Sequence, residues 1–283
     1  MVIFKKIADL KTYLLNKRKT REIGFVPTMG ALHSGHLHLV EESLKNNLLT
    51  VVSVFVNPTQ FNDIEDFNKY PNTLSTDVEK LASANCDVLF CPSVNEMYPA
   101  GPDENTLYNI GNIDKVLEGA FRPGHFNGVC QIVDKLLKIV EPERLFMGQK
   151  DYQQCMVVQA MLDNYYQDSS IKLNVVPTIR SSEGLALSSR NERLNMEAKQ
   201  KALSIYNRLI WIRDHINSQS AEDLINGAKD YLLQNGFSKI DYVAIADAKT
   251  LQPVNIYDTN IKTVVLIAAF IDGVRLIDNL IIN

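Results

Sequence analysis

The stretch Leu49-Thr50-Val51-Val52-Ser53-Val54-Phe55-Val56 constrains this chain more than any other, because it is almost unbroken in apolar and β-branched character. A run of that kind fits a central strand covered on both faces, and such strands belong to parallel sheets layered with helices. Further strand-like runs lie at Ile23 to Val26, Asp87 to Cys91, Arg144 to Met147 and Lys172 to Val176, with helical patterns between most of them. The alternation predicts an α/β fold: a Rossmann-like parallel sheet with helices on both faces. Ligands gather at the carboxyl ends of strands in such sheets. Thr28 to His36, Asn57 to Phe61, Gly148 to Asp151 and the chain from Thr178 onward are therefore expected to converge on one crevice.

Past Val176 the pattern changes. Asn195 to Asn217 and Ala221 to Asn235 read as helices; Ile240 to Ala246, Thr263 to Phe270 and Val274 to Ile277 read as strands, the last two joined by an Asp272-Gly273 turn. Helices followed by antiparallel strands predict a smaller α+β C-terminal domain. The expected division is 1–176 and 177–283, closely packed with some hinge freedom, since no long linker surrounds Pro177.

At 283 residues the chain exceeds one average domain and has ample apolar content for a core. A formal charge of −4 without a block of Lys or Arg gives no support to a nucleic-acid or membrane surface. Lys5, Lys6, Asp9 and Lys11 interrupt any signal-peptide core, and the longest apolar run, Val264 to Ile271, is too short to span a bilayer. Cys86, Cys91, Cys130 and Cys155 contain no Cys-x-x-Cys pair and suit reduced thiols in a cytosol.

Chemistry first shows where Ile23-Gly24-Phe25-Val26 feeds Pro27-Thr28-Met29-Gly30-Ala31-Leu32-His33-Ser34-Gly35-His36. Leu37, Val40 and Leu44 recur downstream at helical spacing, with Ser34 as the expected N-cap. His33 and His36 then flank a helix start, where unsatisfied N–H groups and the dipole attract anions. His38 makes a third histidine in six residues, yet no Cys or acidic residue with zinc-ligand spacing follows. The His-x-Gly-His form resembles the phosphate-binding motif of the adenylyl-transferring (HIGH-motif) superfamily, which includes class I aminoacyl-tRNA synthetases and small-molecule nucleotidylyltransferases.

Four other segments carry suitable groups, each with a plainer alternative. Asn57-Pro58-Thr59-Gln60-Phe61 offers the neutral amide of Gln60, or simply ends a strand. In Gly148-Gln149-Lys150-Asp151-Tyr152-Gln153-Gln154, Lys150 is a compact cation for phosphate and Gly148 permits close approach; an exposed helix start capped by Asp151 is the alternative. Arg180 to Asn191 supplies hydroxyls and guanidinium groups for terminal phosphates, or is a Ser-rich connector. Arg122 and His125, in the Gly- and Pro-rich loop before a helix expected over Val129 to Ile139, can line a pocket or equally brace the loop or an interface. His215 and Trp211, four apart on a helix, read as surface and packing residues.

Taken in order, Pro27 to His36, Asn57 to Phe61, Arg122-Pro123-Gly124-His125-Phe126, Gly148 to Gln154 and Leu187-Ser188-Ser189-Arg190-Asn191 resemble the pantothenate synthetase (pantoate–β-alanine ligase) family over nearly the whole length. Gln149 departs from it, since the family often has Glu there, and the C-terminal part matches mainly through Asp241-Tyr242-Val243. The resemblance implies ATP-dependent ligation of pantoate and β-alanine through a pantoyl adenylate, with ATP as co-substrate and Mg²⁺ on its phosphates. It implies His36, His33 and Lys150 as catalytic residues. ATP would be held by Met29, Gly30, Ala31, Leu32, His33, Ser34, Gly35, His36, Gly148, Gln149, Lys150, Asp151, Ile179, Leu187, Ser188, Ser189 and Arg190. Pantoate and β-alanine would be held by Gln60, Gln154 and Asn57, with the C-terminal domain as a lid. A cytoplasmic homodimer, bound to neither nucleic acid nor membrane, is the implied form. Two readings compete with it: another small-molecule adenylyltransferase that keeps its adenylated product, and a non-catalytic nucleotide sensor.

Overall fold

The computed structural model describes residues 1–61, 67–68, 70–71, 73–101 and 106–283. Six strands form a parallel sheet: β1 (Val2–Phe4), β2 (Ile23–Thr28), β3 (Leu49–Val54), β4 (Val88–Phe90), β5 (Arg144–Gly148) and β6 (Lys172–Val176). Their order is β1-β4-β3-β2-β5-β6, so the chain winds outward from β2 in one direction and then from β5 in the other. The direction reverses between β2 and β5, which makes their carboxyl ends the favoured ligand position.

Residue alternation sorts the sheet's side chains onto its two faces. Phe25, Val51, Phe90 and Leu145 face one way and are covered by Leu10 and Leu14 from α1 (Ile7–Lys17) and by Phe126, Val129, Val133 and Leu137 from a later helix, His125–Val140. Val26, Val52, Leu89 and Phe146 face the other way, under Leu39 and Val40 of α2 (Ser34–Lys45) and Leu81 of α3 (Leu74–Ser83). The run that reads as a doubly covered strand is therefore one: Leu49 to Ser53 are all buried.

Sequence patterning missed β1, whose Val2 and Ile3 are exposed and whose neighbours Lys5 and Lys6 disguise it. It is an edge strand of three residues, held by pairing Val2 with Val88 through Phe4 with Phe90, and nothing local announces that pairing.

Contacts divide the chain into two units. The first comprises 1–114, 122–148 and 154–177; the second comprises 115–121, 149–153 and 178–283. In the second, β7 (Lys239–Asp247), β8 (Thr263–Ile271) and β9 (Val274–Ile281) make an antiparallel meander. Helices Met196–His215 and Ala221–Gln234 cover it through Ile205, Leu209, Ile212, Leu224 and Leu232. Asp272 (φ 47°) and Gly273 (φ 72°) form the left-handed turn expected between β8 and β9. Among the described residues, no helix is long and apolar enough to cross a membrane, and all four cysteines are buried thiols.

Candidate functional site

Between β2 and α2 the sequence places Ser34 at the N-cap, whereas the structure gives that position to His33 (φ −129°, ψ 175°) and makes Ser34 the first helical residue. An imidazole can do this work because its ring nitrogen accepts. His33 Nδ1 accepts from the N–H of Gly35 at 3.2 Å, and His36 Nδ1 accepts from the N–H of His33 at 3.3 Å. The two rings thus cap the turn reciprocally, in the manner of a capping box. A nitrogen that accepts an N–H carries no proton, so in each neutral ring the proton sits on Nε2. The centroids are 4.0 Å apart. A Cβ at position 35 would lie 2.9 Å from His33 Cε1, so Gly35 is what lets that ring lie over the first turn. Two Nε2–H donors beside the positive end of a twelve-residue helix suit an anion.

The loop leading there is held in an unfavourable shape. Gly30 (φ 85°) and Ala31 (φ 50°) are both left-handed, which costs about 1 kcal/mol at the alanine. Asp77 offsets this: its buried carboxylate accepts from Ala31 N at 3.0 Å and from Leu32 N at 2.8 Å, and Lys80 Nζ donates to Leu32 O at 2.5 Å. Thr28 Oγ1 donates to Ser53 O at 2.7 Å and accepts from Gly30 N at 3.2 Å. Asp77 escaped sequence reasoning because, in Thr76-Asp77-Val78-Glu79-Lys80, it looks like an ordinary acid in the first turn of a helix.

Gln60 is the centre of a second cluster in the same unit. Its Nε2 lies 3.1 Å from Met29 Sδ, and its Oε1 is 3.3 Å from Asn57 Nδ2. Asn57 is buried, donating also to Thr59 Oγ1 at 3.0 Å and accepting from Tyr98 OH at 2.8 Å. His125 Nδ1 lies 2.8 Å from Gln60 O; a carbonyl only accepts, so Nδ1 bears the proton and Nε2 accepts from Arg122 Nη1 at 3.1 Å. Arg122 and His125 therefore brace the Gln60 main chain. The helix that begins at His125 comes so close that a Cβ on Gly128 would lie 2.4 Å from Thr59 O.

In the second unit, Gln149–Asp151 form a single 3-10 turn. Asn279 of β9 donates through Nδ2 to Gln149 O and Lys150 O, both at 2.9 Å, while Gln149 Nε2 donates to Asn279 Oδ1 at 3.2 Å. Of the adjacent glutamines, Gln153 is a structural residue: it is buried, accepting from Glu118 N at 3.0 Å and donating to Val116 O at 2.8 Å. Gln154, in the first unit, is half-buried on the helix Tyr152–Tyr165. Leu187 N donates to Ile179 O at 3.0 Å, closing a loop in which Arg180 pairs with Ala186. Ser188 Oγ then accepts from Arg190 N at 3.3 Å at the start of the 3-10 turn Ser189–Arg193. Arg180 grips Asp278, whose carboxyl burial pushes upward against the pull of the guanidinium.

A parallel sheet that reverses its winding beside β2, with an imidazole-capped helix start at the end of that strand, defines an α/β nucleotide-binding protein of the Rossmann type. Known proteins narrow this further. Residues 2–281 match the family model described as pantoate-beta-alanine ligase. A pantothenate synthetase from Cytophaga hutchinsonii is 43% identical, with 100% of this chain and 99% of that protein aligned. The crystal structure of pantothenate synthetase from Thermus thermophilus superposes with a TM-score of 0.91 at 38% identity, covering 100% of this chain and 99% of that one. Pantoate-beta-alanine ligase from Francisella tularensis, solved in complex with beta-gamma ATP and beta-alanine, gives 0.83 at 36% identity, covering 99% and 97%. This chain belongs to the pantoate–β-alanine ligase family.

Proposed function

We propose that this chain joins pantoate to β-alanine in two steps: the pantoate carboxylate attacks the α-phosphorus of ATP, giving pantoyl adenylate and pyrophosphate; the β-alanine amine then attacks the acyl carbon, giving pantothenate and AMP. The observation that carries this reading is the reciprocal cap of His33 and His36, which directs both ring protons to Nε2 at a helix start. The first step brings two anions together and builds charge on phosphorus, so donors fixed beforehand, without reorganisation, are what it needs.

In this reading His36 and His33 donate to the transferring phosphate, Lys150 adds a point charge, and the Met29 to His36 turn receives the nucleotide. Gly148 through Asp151 serve the adenosine side, with Lys150 reaching the phosphates and Asp151 accepting from ribose hydroxyls; Ile179, Leu187, Ser188, Ser189 and Arg190 take the phosphate tail. Gln60 and Gln154 hold pantoate, with Asn57 orienting the Gln60 amide. Neutral amides suit this role, because a bidentate Arg would bind the carboxylate tightly and lower its nucleophilicity.

Among the described residues, no three His, Cys, Asp or Glu side chains are grouped to hold a metal ion. In this reading Mg²⁺ enters with ATP and neutralises its phosphate charge, since that ion commonly rides on substrate phosphates with few protein ligands. We further assign a cytoplasmic homodimer, whose oligomeric state light scattering of the purified protein tests directly.

The deciding experiment incubates the protein with Mg-ATP and pantoate, with and without β-alanine, and follows AMP, pyrophosphate and pantothenate by mass spectrometry. Pyrophosphate should require pantoate, and pantothenate should require all three substrates. His36→Ala should slow pyrophosphate release by about 100- to 1,000-fold, the usual worth of one such donor. ATP binding without pantoate-dependent pyrophosphate would overturn the reading.

A further inference from the structure

Strand β9 carries two polar residues, Asp278 and Asn279, that are both buried. Burying them is costly unless their polar atoms are satisfied. They are satisfied by two segments of the second unit, one carrying Lys150 and the other leading into Leu187–Arg190, the residues to which the proposed function gives phosphates. Asn279 spends both amide N–H groups on consecutive carbonyls, Gln149 O and Lys150 O. Since carbonyls only accept, the amide can sit only one way round, which leaves Oδ1 toward the Gln149 amide as observed. Gripping two successive carbonyls fixes the peptide planes on either side of the Lys150 Cα, and with them the direction in which its side chain leaves the turn.

Behind Asn279 stands an ion pair. Asp278 Oδ1 accepts from the Asn279 N–H at 2.8 Å and from Arg180 Nη2 at 2.9 Å, and Asp278 Oδ2 accepts from Arg180 Nη1 at 2.5 Å. Arg180 also donates to Asn279 O at 3.3 Å and to Gly184 O at 3.1 Å, with its guanidinium 4.0 Å from the Tyr206 ring centroid. Arg180 sits in the loop closed by Leu187 N and Ile179 O, so the same pair that backs Asn279 also anchors the chain entering Leu187–Arg190. A buried ion pair adds little net stability over an apolar packing of the same volume. Geometry of attached segments is what this one supplies.

We propose that Asn279, braced by Asp278 and Arg180, is a positioning residue that aims Lys150 at the triphosphate and keeps Leu187–Arg190 in fixed relation to it. The inference rests on the reading of Lys150 as a phosphate donor.

The test uses the full chain with Asn279→Ala, Lys150→Ala and the double variant, alongside the unaltered protein. In the unaltered protein, pantoate-dependent pyrophosphate release must be present; its absence would defeat the functional reading itself, and this inference with it. With that activity established, Asn279→Ala should lower kcat/KM for ATP by roughly 100-fold, the usual effect of an ångström-scale misplacement, and leave KM for β-alanine unchanged. In the Lys150→Ala background the same substitution should cost less than roughly threefold, because residues acting through one another are not additive. Equal losses in both backgrounds, or a KM for β-alanine raised as much as kcat/KM for ATP falls, would overturn the inference and leave Asn279 as a folding residue only. If Asn279→Ala loses its native circular dichroism, Asn279→Asp and Gln149→Ala carry the test, and an unaltered kcat/KM for ATP in both would overturn it.

Discussion

Replacing Gly128 by Ala should cripple the enzyme without unfolding it. The new Cβ would sit 2.4 Å from Thr59 O, 2.9 Å from Thr59 C and 3.0 Å from Gln60 Cα, whereas ordinary contact begins near 3.4 Å, so about 1 Å of separation has to be found. The helix His125–Val140 cannot supply it, since most of its residues are buried in the sheet's core. The half-buried turn Pro58–Gln60 must move instead. That movement lengthens the 2.8 Å bond from His125 Nδ1 to Gln60 O and carries the Gln60 amide away from its place 3.1 Å from Met29 Sδ. Overpacking of this kind costs about 1–3 kcal/mol of stability, and a 1 Å misplacement of a substrate-holding group about 100-fold in rate. The assay is pyrophosphate release against pantoate concentration at saturating ATP, with thermal melting in parallel. A folded Gly128→Ala protein whose kcat/KM for pantoate stays within about threefold of the unaltered enzyme would refute both the steric argument and the assignment of Gln60.

Other changes have equally definite outcomes. Asp77→Asn puts an NH₂ group opposite one of two backbone donors, so unfolding in urea should show a loss of about 1–3 kcal/mol, together with a raised KM for ATP. Burial pushes Cys86 and Cys130 up to about 12, so neither should react with a thiol reagent at pH 8 until the protein is unfolded. Between the ordinary thiol value near 9 and 12 the unfolded chain loses protons that the folded one keeps; stability should therefore fall as pH rises, by about 1.4 kcal/mol per unit for each thiol. Glu96 is held below its ordinary value, first by the Ile7 N–H and then by Lys6, each at 2.9 Å. Its contribution is present above about pH 4.5 and disappears as pH drops through the lower folded value, so Glu96→Gln should flatten the acid limb of a stability profile.

What the sequence determined by itself is what depends on near neighbours. The unbroken run at Leu49–Val56, the helical spacing of Leu37, Val40 and Leu44, and the Asp272-Gly273 turn each obey rules that act over a few residues, and each has the structure expected of it, save that the strand ends at Val54 and leaves Phe55 and Val56 beyond it. His33 and His36 were legible for the same reason, being three apart on one turn, although the sequence could not tell that His33 rather than Ser34 would cap it. Tertiary structure alone decided the supports. Asp77 holds a loop 46 positions away, His125 meets Gln60 across 65, and Asn279 reaches Lys150 across 129. In each case a common polar residue acquires its role from a partner that only the sheet and its helices bring within hydrogen-bonding distance. The edge strand β1 was hidden likewise, because a three-residue strand is stabilised by its pairing and not by any pattern of its own. Local propensities act through the chain; a buried hydrogen bond acts through space, and its energy exists only once the fold has excluded water from around it.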